Sequence, residues 1–147
     1  MSDISLFTIG FTKKNAETFF TKLKKAGVKK IIDIRLHNES QLAGFAKKDD
    51  LAFFLRELCS CEYRHEPLLA PTKEILDAYK KKAIDWEEYE KQFTKLMVHR
   101  KAYNLVRLKE LDKTCFLCSE PTPEKCHRRL VVEYFKDFFK DVKILHL

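Results

Sequence analysis

The chain has 147 residues, and its 29 Lys and Arg exceed its 22 Asp and Glu, which makes it a basic protein with a net charge of +7. Its hydrophobic content of 45% is too high for a disordered chain, and its length suits a single domain over residues 1–147. No apolar run is long enough for a membrane span, and the chain begins without the pattern of a secretion signal. We therefore expect a cytoplasmic protein that does not enter a membrane, with five reduced cysteines.

Three glycines in the whole chain exclude the dinucleotide-binding fingerprint and the phosphate loop of P-loop enzymes, because each motif needs clustered glycines. The positive charge points to an anionic partner, either an anionic small molecule or a nucleic acid. The lysine pairs are scattered along the chain, and for each pair we favour an ordinary exposed position that keeps the protein soluble. Charge therefore favours an anionic ligand without identifying it, and the oligomeric state stays open.

The first part of the chain predicts a strand, a helix and a second strand. Residues 4–9 form a β-rich run, and residues 28–34 form another. Between them, residues 16–23 place their apolar side chains on one helical face, with Asn15 as N-cap and Gly27 as C-cap. A strand, a helix and a strand over this length predict a βαβ unit with parallel strands.

The middle of the chain continues the alternation of helices and strands. Residues 51–58 repeat the helical pattern, residues 61–65 predict a short strand, and residues 73–82 predict a short basic helix. Residues 85–111 are helical in two pieces, and residues 114–118 predict another strand.

The last part predicts one helix and a closing strand. Thr122 suits the N-cap of a helix and Pro123 its first position, and the residues 130–139 that follow form a broad apolar stripe. Residues 142–147 predict the final strand. Together these elements predict a single α/β domain with a four- or five-stranded, mainly parallel sheet flanked by helices.

Most of the chemically useful residues follow predicted strands. In an open parallel sheet the carboxyl ends of the strands meet at one edge, where ligands bind. Residues 118–128 are the most specific segment, because a strand leads through a proline-bearing loop into a helix N-terminus that attracts anions. In this segment Cys126 is a candidate low-pKa thiol, Arg128 a candidate anion ligand, and a buried Glu120 a candidate general acid or base.

Each residue of this segment also has a structural interpretation. Cys118 suits a buried apolar position, Glu120 and Arg128 suit a salt bridge, and His127 suits a core histidine bonded to backbone. Taken alone, each residue fits that interpretation better. We favour a functional site because so many reactive side chains fall within one loop.

Four of these side chains superficially resemble a zinc site formed by Cys115, Cys118, Cys126 and His127. Two observations argue against it. Cys115 and Cys118 point to opposite faces of one strand, and Cys126 and His127 diverge by about 100° if both are helical. We therefore expect no metal ligands, no cofactor and a fold that does not need metal.

Two pairs of residues lie at other strand ends. Asp33 and Arg35 flank one apolar residue, so both side chains point to the same side of the strand. Arg35 is a candidate ligand of an anion there, and Asp33 is a candidate orienting group or general base. A local salt bridge explains the same spacing. Tyr63 and His65 lie at the end of the third predicted strand and leave the same two interpretations open.

Six short motifs follow one another along the chain. They are Thr8-Ile9-Gly10, Asp33-Ile34-Arg35, Tyr63-x-His65, Leu117-Cys118-Ser119-Glu120, Cys126-His127-Arg128 and His146-Leu147. In this order they resemble the domain-of-unknown-function 488 family. The resemblance spans about residues 4–147. It implies an α/β fold and a free-standing cytosolic protein, but no established reaction. Phe11 stands where the family usually has a small polar residue, so the resemblance does not imply that this chain shares the family's substrate contacts.

These observations lead to two main hypotheses for an uncharacterised cytosolic protein. The first is an enzyme, a hydrolase or transferase, that acts on a phosphate-bearing nucleotide or nucleic acid at the carboxyl edge of the sheet. The alternative is a non-catalytic module that binds a nucleotide or nucleic acid, and a third hypothesis is a metal-stabilised structural protein. The candidate catalytic residues are Asp33, Cys118, Glu120 and His127, and the candidate substrate- or anion-binding residues are Arg35, Tyr63, His65, Cys126 and Arg128.

Overall fold

A computed structural model describes residues 4–37, 44–120 and 122–147. Its strands are β1 (Ile4–Gly10), β2 (Lys30–Asp33), β3 (Glu62–His65), β4 (Thr114–Cys118) and β5 (Val142–His146). Its α-helices are α1 (Ala16–Ala26), α2 (Lys48–Cys59), α3 (Lys73–Lys80), α4 (Trp86–His99), α5 (Leu108–Leu111) and α6 (His127–Phe139). The strands form one sheet in the order β3-β2-β4-β1-β5, and all neighbouring strands are parallel. This architecture confirms the predicted single-sheet α/β fold.

The predicted caps of α1 are confirmed. The side chain of Asn15 accepts a hydrogen bond from the backbone N–H of Thr18 at 2.8 Å, which satisfies a free donor of the first turn. Gly27 ends the helix with a φ of 75°, a left-handed conformation that glycine adopts without steric cost. These local signals fix the start and the end of α1, the helix that connects β1 to β2.

Helices cover both faces of the sheet, and each face has its own apolar core. Phe19 of α1 and Leu55 of α2 pack on one face together with Cys115. Phe93 of α4 and Phe135 of α6 pack on the other face. Within the ranges that the structure describes, none of the helices has the length and apolar character needed to cross a bilayer.

The position of Cys118 follows from the alternation of side chains along β4. Cys115 lies in one core and Cys118 in the other, as the period of two predicts. The predicted strand at residues 114–118 is confirmed, and the helical region 85–111 is divided into α4, a 3₁₀ turn over Ala102–Asn104, and α5.

The predicted start of the last helix is wrong. Cys126 is the N-cap of α6, with extended backbone angles of φ −137° and ψ 140°, so the helix begins at His127 and not after Thr122. The preceding residues form a turn in which the N–H of Cys126 donates to the carbonyl of Pro123 at 3.2 Å. Tertiary contacts of His127 and Arg128 with the sheet outweigh the local N-cap signal, since they hold the first turn of α6 against the strand ends.

Gly10, the last residue of β1, is the position where the sheet and the loop after β4 meet. A Cβ there would overlap the backbone carbonyl oxygen of Glu120 and the Nη1 atom of Arg128. We expect Gly10→Ala to lower the free energy of unfolding by about 1–3 kcal/mol or more, because a backbone segment must shift to admit the methyl group. Denaturant unfolding monitored by circular dichroism measures this change.

Gly44→Ala is the matched control. Among the residues that the structure describes, no atom outside the immediate chain neighbours lies within 4 Å of a Cβ built on Gly44, whose backbone does not adopt a positive φ. We expect this control to change the stability by no more than about 0.5 kcal/mol. Equal stability of the two variants would contradict the close approach at Gly10.

Candidate functional site

The parallel strands bring the predicted site residues to one edge of the sheet. Asp33 at the end of β2 lies in register with His65 of β3 and with Leu117 of β4. Gly10 at the end of β1 lies in register with Cys118. The four strand ends therefore form one continuous edge. In open parallel sheets, ligands bind at this edge.

Asp33 and Arg35 form a buried two-point ion pair. Nε of Arg35 donates to Oδ1 of Asp33 at 2.8 Å, and Nη2 donates to Oδ2 at 2.7 Å. Nη2 also donates to the carbonyl of Ala46 at 2.7 Å, and the guanidinium carbon lies 5.2 Å from the centre of the Phe11 ring. The planar fork of arginine suits this geometry, which fixes the guanidinium in one orientation.

The carboxylate of Asp33 has a further donor. The hydroxyl of Tyr63 donates to Oδ2 of Asp33 at 2.6 Å, so one buried carboxylate holds two side chains from neighbouring strand ends. Nη1 of Arg35 is buried and has no hydrogen-bond partner among the residues that the structure describes. An unpaired buried donor of this kind is costly, by about 1–3 kcal/mol, and marks a place for an acceptor atom.

Two histidines hold the chain that follows β2. Nε2 of His65 lies 2.7 Å from the carbonyl of Arg35, and Nε2 of His127 lies 2.7 Å from the carbonyl of Ile34. Since a carbonyl only accepts, each Nε2 carries the proton. Burial lowers the pKa of His127 to about 4, so its ring is neutral near pH 7 and the lone pair lies on Nδ1.

Cys118 and Cys126 bring their side chains together from β4 and from the N-cap of α6. Their sulfur atoms lie at bonding distance, as in a disulfide, while their Cα atoms are 7.6 Å apart. One ring nitrogen of His127 lies within 4.8 Å of both sulfur atoms. The sulfur of Cys118 also lies 3.6 Å from Nη1 of Arg128, which can stabilise a thiolate.

Arg128 is buried beneath this cluster, with 1% of its surface exposed. Its Nε donates to the hydroxyl of Thr8 at 3.2 Å, and its Nη1 donates to the backbone carbonyl of Glu120. Because that hydroxyl accepts from Arg128, its own hydrogen is free for Nδ1 of His146, which lies 2.6 Å away. Arg128 therefore connects α6 to the ends of β1 and β5.

The remaining cysteines differ from this pair. Burial raises the pKa of Cys61 to about 12 and the pKa of Cys115 well above its usual value. Such thiols remain protonated at neutral pH and act as small apolar side chains.

The expectation that Glu120 is buried is wrong, because its side chain is exposed and only its backbone carbonyl contacts Arg128. The loop that follows β4 turns the Glu120 side chain outward while its carbonyl faces the guanidinium. The two arginines also differ from the open anion grip suggested by the sequence, since the guanidinium groups of Arg35 and Arg128 are buried and bonded to protein atoms.

The sequence interpretation missed several groups that complete the site. The side chain of Phe11 and the backbone carbonyls of Ile34 and Ala46 contact the predicted residues directly. Backbone carbonyls carry no sequence signal, and the contact between Ile34 and His127 spans 93 positions of the chain. The motifs that contain Thr8 and His146 are identifiable in the sequence, but the hydrogen bond between these two residues depends on the register of β1 and β5, and the bond from Arg128 to Thr8 depends on the packing of α6.

These features define a parallel α/β protein with a buried arginine and thiol site at the carboxyl edge of its sheet. A family model described as "Domain of unknown function DUF488" matches residues 15–135, which is most of the chain. The chain therefore belongs to this family, as the motifs suggested. No curated protein and no solved structure matches it.

The buried ion pair generates a stability prediction. Asp33→Asn leaves the charge of Arg35 buried without its counter-charge, and we expect the free energy of unfolding to fall by about 3–5 kcal/mol. The double variant Asp33→Asn/Arg35→Met removes both charges and should recover part of that loss. Chemical denaturation of the single and double variants measures the coupling.

The exposed ion pair between Lys73 and Asp77, with an N···O distance of 3.0 Å, supplies the control. Asp77→Asn should leave the unfolding midpoint unchanged, because solvent screens exposed pairs. A similar effect of the two aspartate substitutions would show that burial does not strengthen the pair at Asp33.

Proposed function

We propose that the protein is a cytoplasmic enzyme, a hydrolase or transferase, that binds a phosphate-bearing nucleotide or nucleic acid at the carboxyl edge of its sheet. The observation that carries this proposal is the buried guanidinium of Arg128, which forms no ion pair with a carboxylate in the described part of the chain. A buried charge without a counter-charge is unfavourable, and an anionic ligand nearby would compensate it.

The electrostatics of the neighbouring bases support an excess of positive potential. Burial lowers the pKa of both His127 and His146, and the charge of Arg128 lowers each further. Burial also lowers the pKa of Lys14, with smaller contributions from Lys22 and Arg128. The ion pair of Asp33 and Arg35 adds no net charge, and the carboxylates of Glu120 and Glu124 act on Arg128 without forming an ion pair with it in the described structure.

Arg35 adds a directed donor to this field. Its Nη1 is buried and unpaired in the described structure, while Asp33 and Ala46 fix the rest of the guanidinium. A phosphate oxygen is the kind of acceptor that such a preorganised N–H favours. Asp33 therefore serves to orient Arg35, since its oxygens already accept from Arg35 and Tyr63.

The proposed chemistry uses the side chains around the place where the anion is proposed to bind. Glu120 has an exposed carboxylate that can exchange a proton with a ligand. The sulfur of Cys118 and one ring nitrogen of His127 lie within 4.8 Å of each other, and that sulfur lies 3.6 Å from Nη1 of Arg128. Tyr63 and His65 hold the loop after β2 through Asp33 and the carbonyl of Arg35.

Calorimetric titration with inorganic phosphate, a nucleoside monophosphate and a short oligonucleotide tests the binding step. We expect Arg128→Lys, and separately the charge-neutral pair Asp33→Asn/Arg35→Gln, to weaken binding by about 10- to 100-fold, the value of one charge-assisted hydrogen bond. Circular dichroism verifies that each variant is folded. Lys80→Gln, on the exposed side of α3, is the control and should bind like the wild type.

Equal affinity of the folded variants and the wild type would overturn the anion site. Turnover of the bound ligands is then measured for the wild type and Glu120→Gln. The enzyme proposal expects Glu120→Gln to lose turnover while its binding survives. Tight binding without turnover of any bound ligand would favour the alternative, a non-catalytic binding module, and would overturn the catalytic part of the proposal.

A further inference from the structure

We propose that Cys118, Cys126 and His127, in the reduced protein, form a binding site for a thiophilic divalent cation such as Zn²⁺. The site offers two sulfur ligands and one imidazole ligand, and it leaves a fourth position open for water or another small ligand. This inference goes beyond the proposed enzyme function and does not depend on it.

The three side chains reach one point because the backbone changes conformation between them. Cys118 ends β4, Cys126 is an extended N-cap, and His127 is the first residue of α6. Adjacent side chains diverge by about 100° only where both residues are helical, and Cys126 is extended. Their candidate ligand atoms all lie within 4.8 Å of one another, and in the reduced protein the two sulfur atoms, no longer bonded to each other, can separate far enough to bind one ion.

The hydrogen bond of His127 gives its ring the tautomer of a metal ligand. Nε2 of His127 donates to the carbonyl of Ile34 at 2.7 Å, which places the proton on that nitrogen and leaves a lone pair on Nδ1. Histidines that bind metals almost always donate their other N–H to a carbonyl or carboxylate, because this bond fixes both the tautomer and the ring. The side chain of Phe93 packs on the edge of the same ring, with centroids 5.6 Å apart.

The backbone spacing favours an ion over a disulfide. The sulfur atoms of Cys118 and Cys126 meet, but their Cα atoms are 7.6 Å apart. Disulfides usually join Cα atoms separated by about 4.4–6.8 Å. Two thiolates that share an ion need no such close backbone approach, so the observed separation suits coordination.

The surroundings select the kind of cation. Both cysteines are buried, and Nη1 of Arg128 lies 3.6 Å from the sulfur of Cys118, where it stabilises the thiolate form. Sulfur and imidazole ligands favour Zn²⁺ and its analogues Co²⁺ and Cd²⁺ over Mg²⁺ or Ca²⁺. The charges of two thiolates and one divalent cation cancel. The complex can therefore be buried without the cost of an uncompensated charge.

The experiment measures metal binding by the whole chain, reduced and freed of metal, without any substrate. Zn²⁺ is added, excess ion is removed by gel filtration, and bound metal is counted by elemental analysis. Co²⁺ is added in parallel, because thiolate ligands give it a characteristic absorption. We expect one ion per chain, and a loss of affinity of about 100-fold or more in Cys118→Ser, Cys126→Ser and His127→Gln, since loss of even an outer partner costs about 10- to 100-fold.

Cys59→Ser and Cys115→Ser are the matched controls, because these thiols lie outside the cluster. They should retain one ion per chain. The proposal is overturned if the reduced, folded wild type binds no Zn²⁺, or if the three ligand variants bind it as tightly as the controls. Mass spectrometry after alkylation identifies the competing outcome, a Cys118–Cys126 disulfide in a protein that takes up no metal when reduced. Phosphate binding is measured separately, so the two proposals fail independently.

Discussion

The buried guanidinium of Arg128 is the constraint on which the arrangement of the site depends. It bonds to Thr8 near the end of β1 and to the carbonyl of Glu120 beyond β4, and it can do so only because Gly10 has no side chain. These contacts hold the first turn of α6 against the strand ends. The start of the helix at His127, and the extended conformation of Cys126 before it, follow from that anchor.

The second buried arginine has a different electrostatic role. Arg35 is neutralised by Asp33 and held by the Ala46 carbonyl, so it contributes direction but no net charge. Arg128 contributes charge without a paired carboxylate in the described structure. In the proposed function, an anion at this edge would gain its Coulomb energy from Arg128 and its orientation from Arg35, a division that a simple count of positive residues along the sequence does not show.

The sequence predicts the parts of this protein that depend on local signals. Asn15 and Gly27 bound α1, and the spacing of Asp33 and Arg35 correctly places both side chains on one side. The start of α6 was mispredicted because Thr122 and Pro123 supply a strong local cap, while the contacts that move the start to His127 come from distant strands. The same reason explains the missed carbonyls at this edge. The residue types in the sequence indicate the reactive side chains. Only the strand register and the packing of the folded chain show which of their atoms face one another.

The thiols couple the two proposed properties of the site. When Cys118 and Cys126 are protonated, joined by a disulfide or bound to a divalent cation, they add no net negative charge, and the field of Arg128 acts on a ligand undiminished. If both become free thiolates, two negative charges lie beside the single positive charge of Arg128, whose Nη1 is 3.6 Å from the Cys118 sulfur. An anion would then be repelled at a distance too short for solvent ions to screen. If both proposals hold, a bound divalent cation would preserve the positive potential that the proposed anion binding needs, because it keeps the two thiolates neutralised.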